Sequence, residues 1–104
     1  MSIDLAPAAE SATDDAAYQR TAVIGRALAD AKRLCVLESL AGGELSVSEL
    51  AGRVACQVPN MSQHLAVLRS AGLVTTRREG STVYYRLADP RVLEAFQLLQ
   101  SIAR

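Results

Sequence analysis

The chain has 104 residues, half of them apolar, which suits one small domain with a single modest core. Its 11 basic and 11 acidic side chains cancel, which argues against an indiscriminate polyanion binder. No apolar run approaches the roughly 20 residues of a membrane span, and no basic segment followed by an apolar stretch opens the chain, so neither a membrane helix nor a secretory signal is expected.

Met1 to Asp15 is rich in Ala, Ser, Pro and Asp and has little periodicity, so residues 1–15 read as a flexible arm. From about Ala16 to Ala29 the pattern is helical, with Val23, Ile24, Ala27 and Leu28 on the apolar face. Asp30 caps or interrupts. A helix from about Ala31 to Leu40 carries Leu34, Cys35, Leu37 and Leu40, and Gly42-Gly43 ends it. Ser46-Val47-Ser48-Glu49 is a capping box, opening a helix to about Ala55 that buries Val47, Leu50 and Val54. Pro59 suits the first turn of the next helix and Gly72 the position just past its end. Leu73–Arg78 and Ser81–Leu87 read as strands joined by a tight turn at Glu79-Gly80. Asp89-Pro90 starts a last helix to about Ala103, with Val92, Leu93, Phe96, Leu99 and Ile102 on its apolar face.

Residues 46–87 thus spell two short helices around a turn, then a hairpin. That order is a winged helix-turn-helix: mainly α, about five helices plus a two-stranded wing, filling residues 16–104. The charge is distributed to match. Residues 1–31 carry five acids and two bases, whereas residues 53–86 carry five bases (Arg53, Arg69, Arg77, Arg78, Arg86) and one acid. A basic half hidden by a neutral sum is the footprint of a nucleic-acid partner.

In the second helix of the pair, Met61, Leu65 and Leu68 form one apolar stripe, so Pro59, Gln63, Ala66 and Ser70 point away from it. Ser62 and His64 fall on the flanks, and Asn60 lies beside the outer face. Side-chain amides on an exposed helix face suit base edges, where Asn or Gln reads adenine. Asn60, Ser62, Gln63 and His64 are therefore candidates to read or flank bases, and Arg69, Arg77 and Arg78 to contact phosphates. The bland alternatives are solvated wing charges for the arginines and a partly buried polar residue for His64. Tyr84 and Tyr85 read as strand packing.

These residues resemble the ArsR–SmtB family of bacterial repressors from about Ala27 to Phe96. The match is carried by Leu28-Ala29-Asp30 with Arg33-Leu34, Leu50-Ala51, Ser62-Gln63-His64-Leu65 with Leu68, Ala71-Gly72-Leu73-Val74, and Arg78-Glu79-Gly80 with Val83-Tyr84-Tyr85. The resemblance implies a homodimer built by the first and last helices, double-stranded operator DNA as partner, a cytoplasmic location, and release of DNA by an inducer. The departures matter too. The family's arsenic sensors carry two cysteines in a Glu-Leu-Cys-Val-Cys-Asp-Leu motif, where this chain has Glu44-Leu45-Ser46-Val47-Ser48-Glu49-Leu50. Its zinc sensors use Asp and His pairs on the last helix, where this chain has Asp89 and no His.

Cys35 and Cys56 are the only thiols. One reading makes both small buried apolar residues. The other makes them an inducer or redox site: the family's reactive-sulfur sensors pair a cysteine on the second helix with one on the last. Cys35 fits the first of these places, and the last helix has no Cys. Two thiols bridge only if their Cα atoms come within roughly 7 Å. A soft metal ion or arsenite is the alternative cofactor, and would need thiolates from both subunits or from added small thiols. The reading is a homodimeric transcriptional repressor. Its rivals are a soft-metal or arsenic-responsive repressor of the same fold and a protein-interaction module that does not bind DNA. An enzyme is not expected, because neither thiol has an activating setting in the sequence.

Overall fold

A computed structural model describes residues 12–104. Helix α1 spans Ala12–Leu28, α2 Ala31–Ser39, α3 Val47–Val54, α4 Val58–Ser70 and α5 Pro90–Ala103. The strands are β1 (Leu45–Ser46), β2 (Val74–Glu79) and β3 (Thr82–Leu87). The winged helix-turn-helix is as expected, with two corrections of extent. Helix α1 starts at Ala12, so four residues assigned to the arm are helical; the rest of that arm, residues 1–11, lies outside the described residues. The sheet has three strands in the order β1-β3-β2.

Local chemistry sets the boundaries. Asp30 caps α2, its carboxylate accepting the Arg33 N–H at 3.1 Å. Ser46 and Glu49 form the reciprocal capping box of α3. Asp89 caps α5, with Pro90 just inside. Gly72, at φ +78°, turns the chain out of α4 into β2.

The core is one cluster of aliphatic side chains. Val36, Leu37 and Leu40 of α2 meet Leu50, Ala51 and Val54 of α3 and Met61, Leu65 and Leu68 of α4, closed by Ala27, Leu73 and Val74. Each fully buried leucine contributes about 1.5–3 kcal/mol through burial. This cluster holds α4 by its Met61–Leu65–Leu68 stripe and leaves the opposite face in solvent.

The terminal helices contribute less to it. Phe96 of α5 is buried, yet Val23 and Ile24 of α1 and Leu98, Leu99 and Ile102 of α5 are exposed, Ile102 by 79%. Much of the apolar face read on these two helices therefore lies uncovered in the single chain. Among the described residues no helix is long and apolar enough to cross a membrane.

Candidate nucleic-acid interface

The turn between α3 and α4 sets the direction of α4. Ala55 closes α3 with φ +53°, a left-handed conformation costly for a residue with a Cβ. Lys32, reaching from α2, donates its ammonium to the carbonyls of Val54 and Ala55, both at 3.0 Å. A cation on the last carbonyls of a helix is favourable. It holds the strained turn from the side.

On α4, Asn60, Ser62, Gln63, Ala66 and Arg69 are exposed. The N-cap residue Gln57 makes no side-chain cap bond. His64 differs from its neighbours: it is half-buried, and its Nδ1 lies 3.5 Å from Arg33 Nη1 and 3.9 Å from Asp30 Oδ1. Hydrogen bonding by the Arg33 backbone lowers the pKa of Asp30, keeping it an anion. Arg33 also donates to the carbonyls of Ala27 at 2.7 Å and Arg26 at 3.1 Å.

The wing is a hairpin registered from Val74↔Leu87 to Glu79↔Thr82. Its loop is Gly80-Ser81, one residue later than the Glu79-Gly80 read from sequence, because Glu79 still pairs with Thr82. Gly80 takes φ +61°, in the manner of a two-residue hairpin turn with Gly first. Arg78 is exposed near the tip. Arg77 is engaged: it donates to Glu44 at 2.9 Å through Nε and 2.5 Å through Nη2, and to Glu79 at 2.9 Å. Its guanidinium lies 5.0 Å from the Tyr84 ring centroid. Hydrogen bonding from Arg77 lowers the Glu44 pKa, and Glu44 in turn raises that of Arg77. Arg86 bonds Thr75 across the hairpin at 3.3 Å. Neither Arg78 nor Arg86 makes an ion pair among the described residues, and of the wing bases Arg78 makes no side-chain hydrogen bond there either.

The thiols separate. Cys35 is exposed, which corrects the reading of both cysteines as buried. It lines a groove of about 390 Å³ between α2 and α5, together with Leu28 at the end of α1. Leu34, Glu38, Phe96 and Leu99 line that groove with it. Cys56 is half-buried against the core, and its thiol donates to the Gln57 carbonyl at 3.5 Å. Both are free thiols. Among the described residues, no group of three or more His, Cys, Asp or Glu side chains is placed to hold a metal ion.

Arg33, Lys32 and Glu44 were not singled out as site residues from the sequence. Only the Asp30-to-Arg33 spacing carried a local signal. The contacts of Lys32 with Val54, Arg33 with His64 and Glu44 with Arg77 span 22 to 33 residues, beyond any periodicity.

Residues 30–76 match the family described as "Bacterial regulatory protein, arsR family". The chain is 57% identical over 67 residues to the HTH-type transcriptional regulator KmtR of Mycobacterium tuberculosis, covering 64% of this chain and 52% of that protein. It thus spans about half of that relative's length. It is 41% identical to the biofilm growth-associated repressor of Agrobacterium fabrum over 78% of this chain and 69% of that protein. The homodimeric winged helix-turn-helix DNA-binding domain of Mb0332 from Mycobacterium bovis superposes with a TM-score of 0.83 at 38% identity, covering 90% of this chain and 87% of that one.

Proposed function

The chain belongs to the ArsR family of bacterial regulatory proteins, and from that premise we propose that it is a homodimeric repressor that occupies double-stranded operator DNA in the cytoplasm. One observation carries the reading: α4 is clamped by its apolar stripe and turns Asn60, Ser62 and Gln63 into solvent, with the unpaired Arg78 on the adjoining wing. In this reading α4 enters the major groove, Gln63 with Asn60 and Ser62 meets base edges, and Arg69 and Arg78 hold phosphates. Arg77 reaches a phosphate only by exchanging Glu44 or Glu79. The uncovered apolar faces of α1 and α5 join the second copy, which spaces two α4 helices for a palindrome. Family membership puts the chain among transcriptional regulators, not enzymes.

The inducer acts through Cys35. Its thiol is exposed in the α2–α5 groove, beside the dimerising helix, while Cys56 is packed and bonded. The Cys35 thiolate attacks a sulfur of a persulfide or disulfide, forms a new S–S bond and expels the other sulfur as a thiolate. The added group widens the groove and favours a dimer whose α4 helices are poorly spaced. The coupling is a difference in DNA affinity between two dimer states.

The test uses duplex DNA enriched from a random pool, the parent, and Gln63→Ala with Arg78→Ala. The double variant is expected to lose affinity, while unchanged affinity contradicts the interface. Treatment with an organic disulfide or a persulfide is expected to release DNA from the parent and from Cys56→Ser but not from Cys35→Ser. If Cys35→Ser releases DNA as the parent does, the thiol assignment fails. A promoter-reporter assay in which the protein raises transcription contradicts repression.

A further inference from the structure

His64 is the only histidine of the chain, and it sits where three helices meet. Its ring faces Arg33, whose guanidinium is pinned on its other edges: Nε donates to Ala27 O at 2.7 Å and Nη2 to Arg26 O at 3.1 Å. These are carbonyls of the last turn of α1, which a cation satisfies well. Arg33 is also anchored to Asp30, with Nη1 3.7 Å from Oδ2. It cannot swing away without uncapping α1.

A guanidinium donates only; it has no lone pair to offer. The ring nitrogen 3.5 Å from Arg33 Nη1 is Nδ1. Against Arg33 Nη1 a hydrogen on Nδ1 would point donor at donor, whereas a lone pair there accepts, so this contact favours the tautomer with its proton on Nε2. Asp30 Oδ1 lies 3.9 Å from the same nitrogen. Arg33 and Asp30 are the charged groups facing the ring among the described residues. Nε2 makes no hydrogen bond within the described residues, and no buried side-chain nitrogen among them lacks a partner, so Nε2 reaches solvent. Asn60, exposed one turn earlier on α4, lies on the same side of the helix.

We propose that Arg33 is a positioning residue for DNA binding: it holds the His64 ring as the Nε2–H tautomer, so that His64 offers its Nε2–H to a phosphate oxygen at the edge of the groove. The proposal rests on the DNA-binding reading. It adds that the end of α1, the start of α2 and the reading helix share one hydrogen-bonded junction.

Nitrogen-15 NMR of the single imidazole, without DNA and at mildly alkaline pH, reads the tautomer directly. The proton is expected on Nε2 in the parent, and a mixture of tautomers in Arg33→Lys, whose fold is checked by circular dichroism. On the enriched duplex, His64→Gln places an amide N–H near the Nε2 position and is expected to bind within about threefold of the parent, whereas His64→Asn, with its amide at the Nδ1 level, is expected to lose roughly tenfold or more. Neither change should lower the slope of log affinity against log salt, because no charge is lost, whereas a charged contact removes about one unit. A proton on Nδ1 in the parent overturns the proposal. So does rescue by Asn and not Gln, the pattern of a residue that only braces Arg33. A fall in salt slope would mean His64 binds as a cation, which also contradicts it. If the parent binds no duplex at all, the DNA reading fails, and the tautomer measurement still judges the role of Arg33.

Discussion

Arg77 of the wing and Glu44, 33 residues earlier, form a fork in which two guanidinium nitrogens meet one carboxylate, at 2.9 and 2.5 Å. Glu44 directly precedes β1, and β1 pairs with β3 through Leu45↔Tyr85 and Ser46↔Tyr84. The pair therefore ties the wing to the segment that leads into α3. It also occupies a cation that DNA would otherwise claim. Glu44→Gln is expected to raise affinity for the enriched duplex and to steepen its salt slope by up to about one, as Arg77, then held by Glu79 alone, turns to neutralise a phosphate. Titrations at several salt concentrations check this. Unchanged affinity and slope would mean Arg77 serves the wing alone.

Acid should unfold the domain through its paired carboxylates. Hydrogen bonding from the Arg91 side chain and backbone holds Asp89 down at about 2, against an ordinary 3.8. Arg77 lowers Glu44, and hydrogen bonds from Ser46 lower Glu49, below an ordinary 4.5. For each group the folded pKa lies below the unfolded one. Their contribution is complete above the ordinary values and disappears as pH falls through the folded ones. Urea midpoints should be flat from pH 7 to about 5 and then fall, with Asp89→Asn showing the shallower fall below pH 4. An equal fall in the parent and Asp89→Asn would remove Asp89 from the account.

Two neighbours on α4 should separate stability from binding. Leu65 is completely buried, and Leu65→Ala is expected to cost about 2–5 kcal/mol in urea unfolding. Gln63 is exposed, and Gln63→Ala should change stability by no more than about 0.5 kcal/mol while weakening DNA binding. A large loss of stability in Gln63→Ala would mean that this face is part of the packing.

Ala55 keeps a left-handed φ of +53° at the turn of the helix pair. Ala55→Gly relieves the Cβ penalty, and the net gain expected is about 0.5–1 kcal/mol after the entropy of the freer unfolded chain. Thermal unfolding measures it. A loss of stability would show that Lys32 and the packing of the turn already absorb the strain.

Much of this fold was readable because its signals are local. The Ser46–Glu49 box, Pro59, Gly72 and the Asp89-Pro90 start each mark a boundary by their own chemistry, and the Met61–Leu65–Leu68 spacing gives the buried face of α4. Strand β1 was not readable. Two residues have no alternation, and Leu45-Ser46 becomes a strand only because β3 lies beside it. The exposed candidates on α4 follow from the same stripe that buries its other side. What sequence left out is tertiary: Lys32 on the α3 carbonyls, Arg33 between α1 and His64, Glu44 on Arg77. The exposure of Cys35 is tertiary too, because it follows from how α2 and α5 leave a groove between them. The apolar faces of α1 and α5 were readable as faces, which the family resemblance assigns to a dimer, and in one chain much of them is surface.

The central claim is that α4 and the wing of a dimer read duplex DNA. Selection of binding sequences from a random duplex pool, followed by sequencing, tests it most directly. The expected result is an imperfect palindrome with half-sites about one helical turn, roughly 10–10.5 base pairs, or a multiple of it apart, and enrichment lost with Gln63→Ala and Arg78→Ala. A pool that shows no enriched sequence, or one enriched equally by the double variant, would contradict the account.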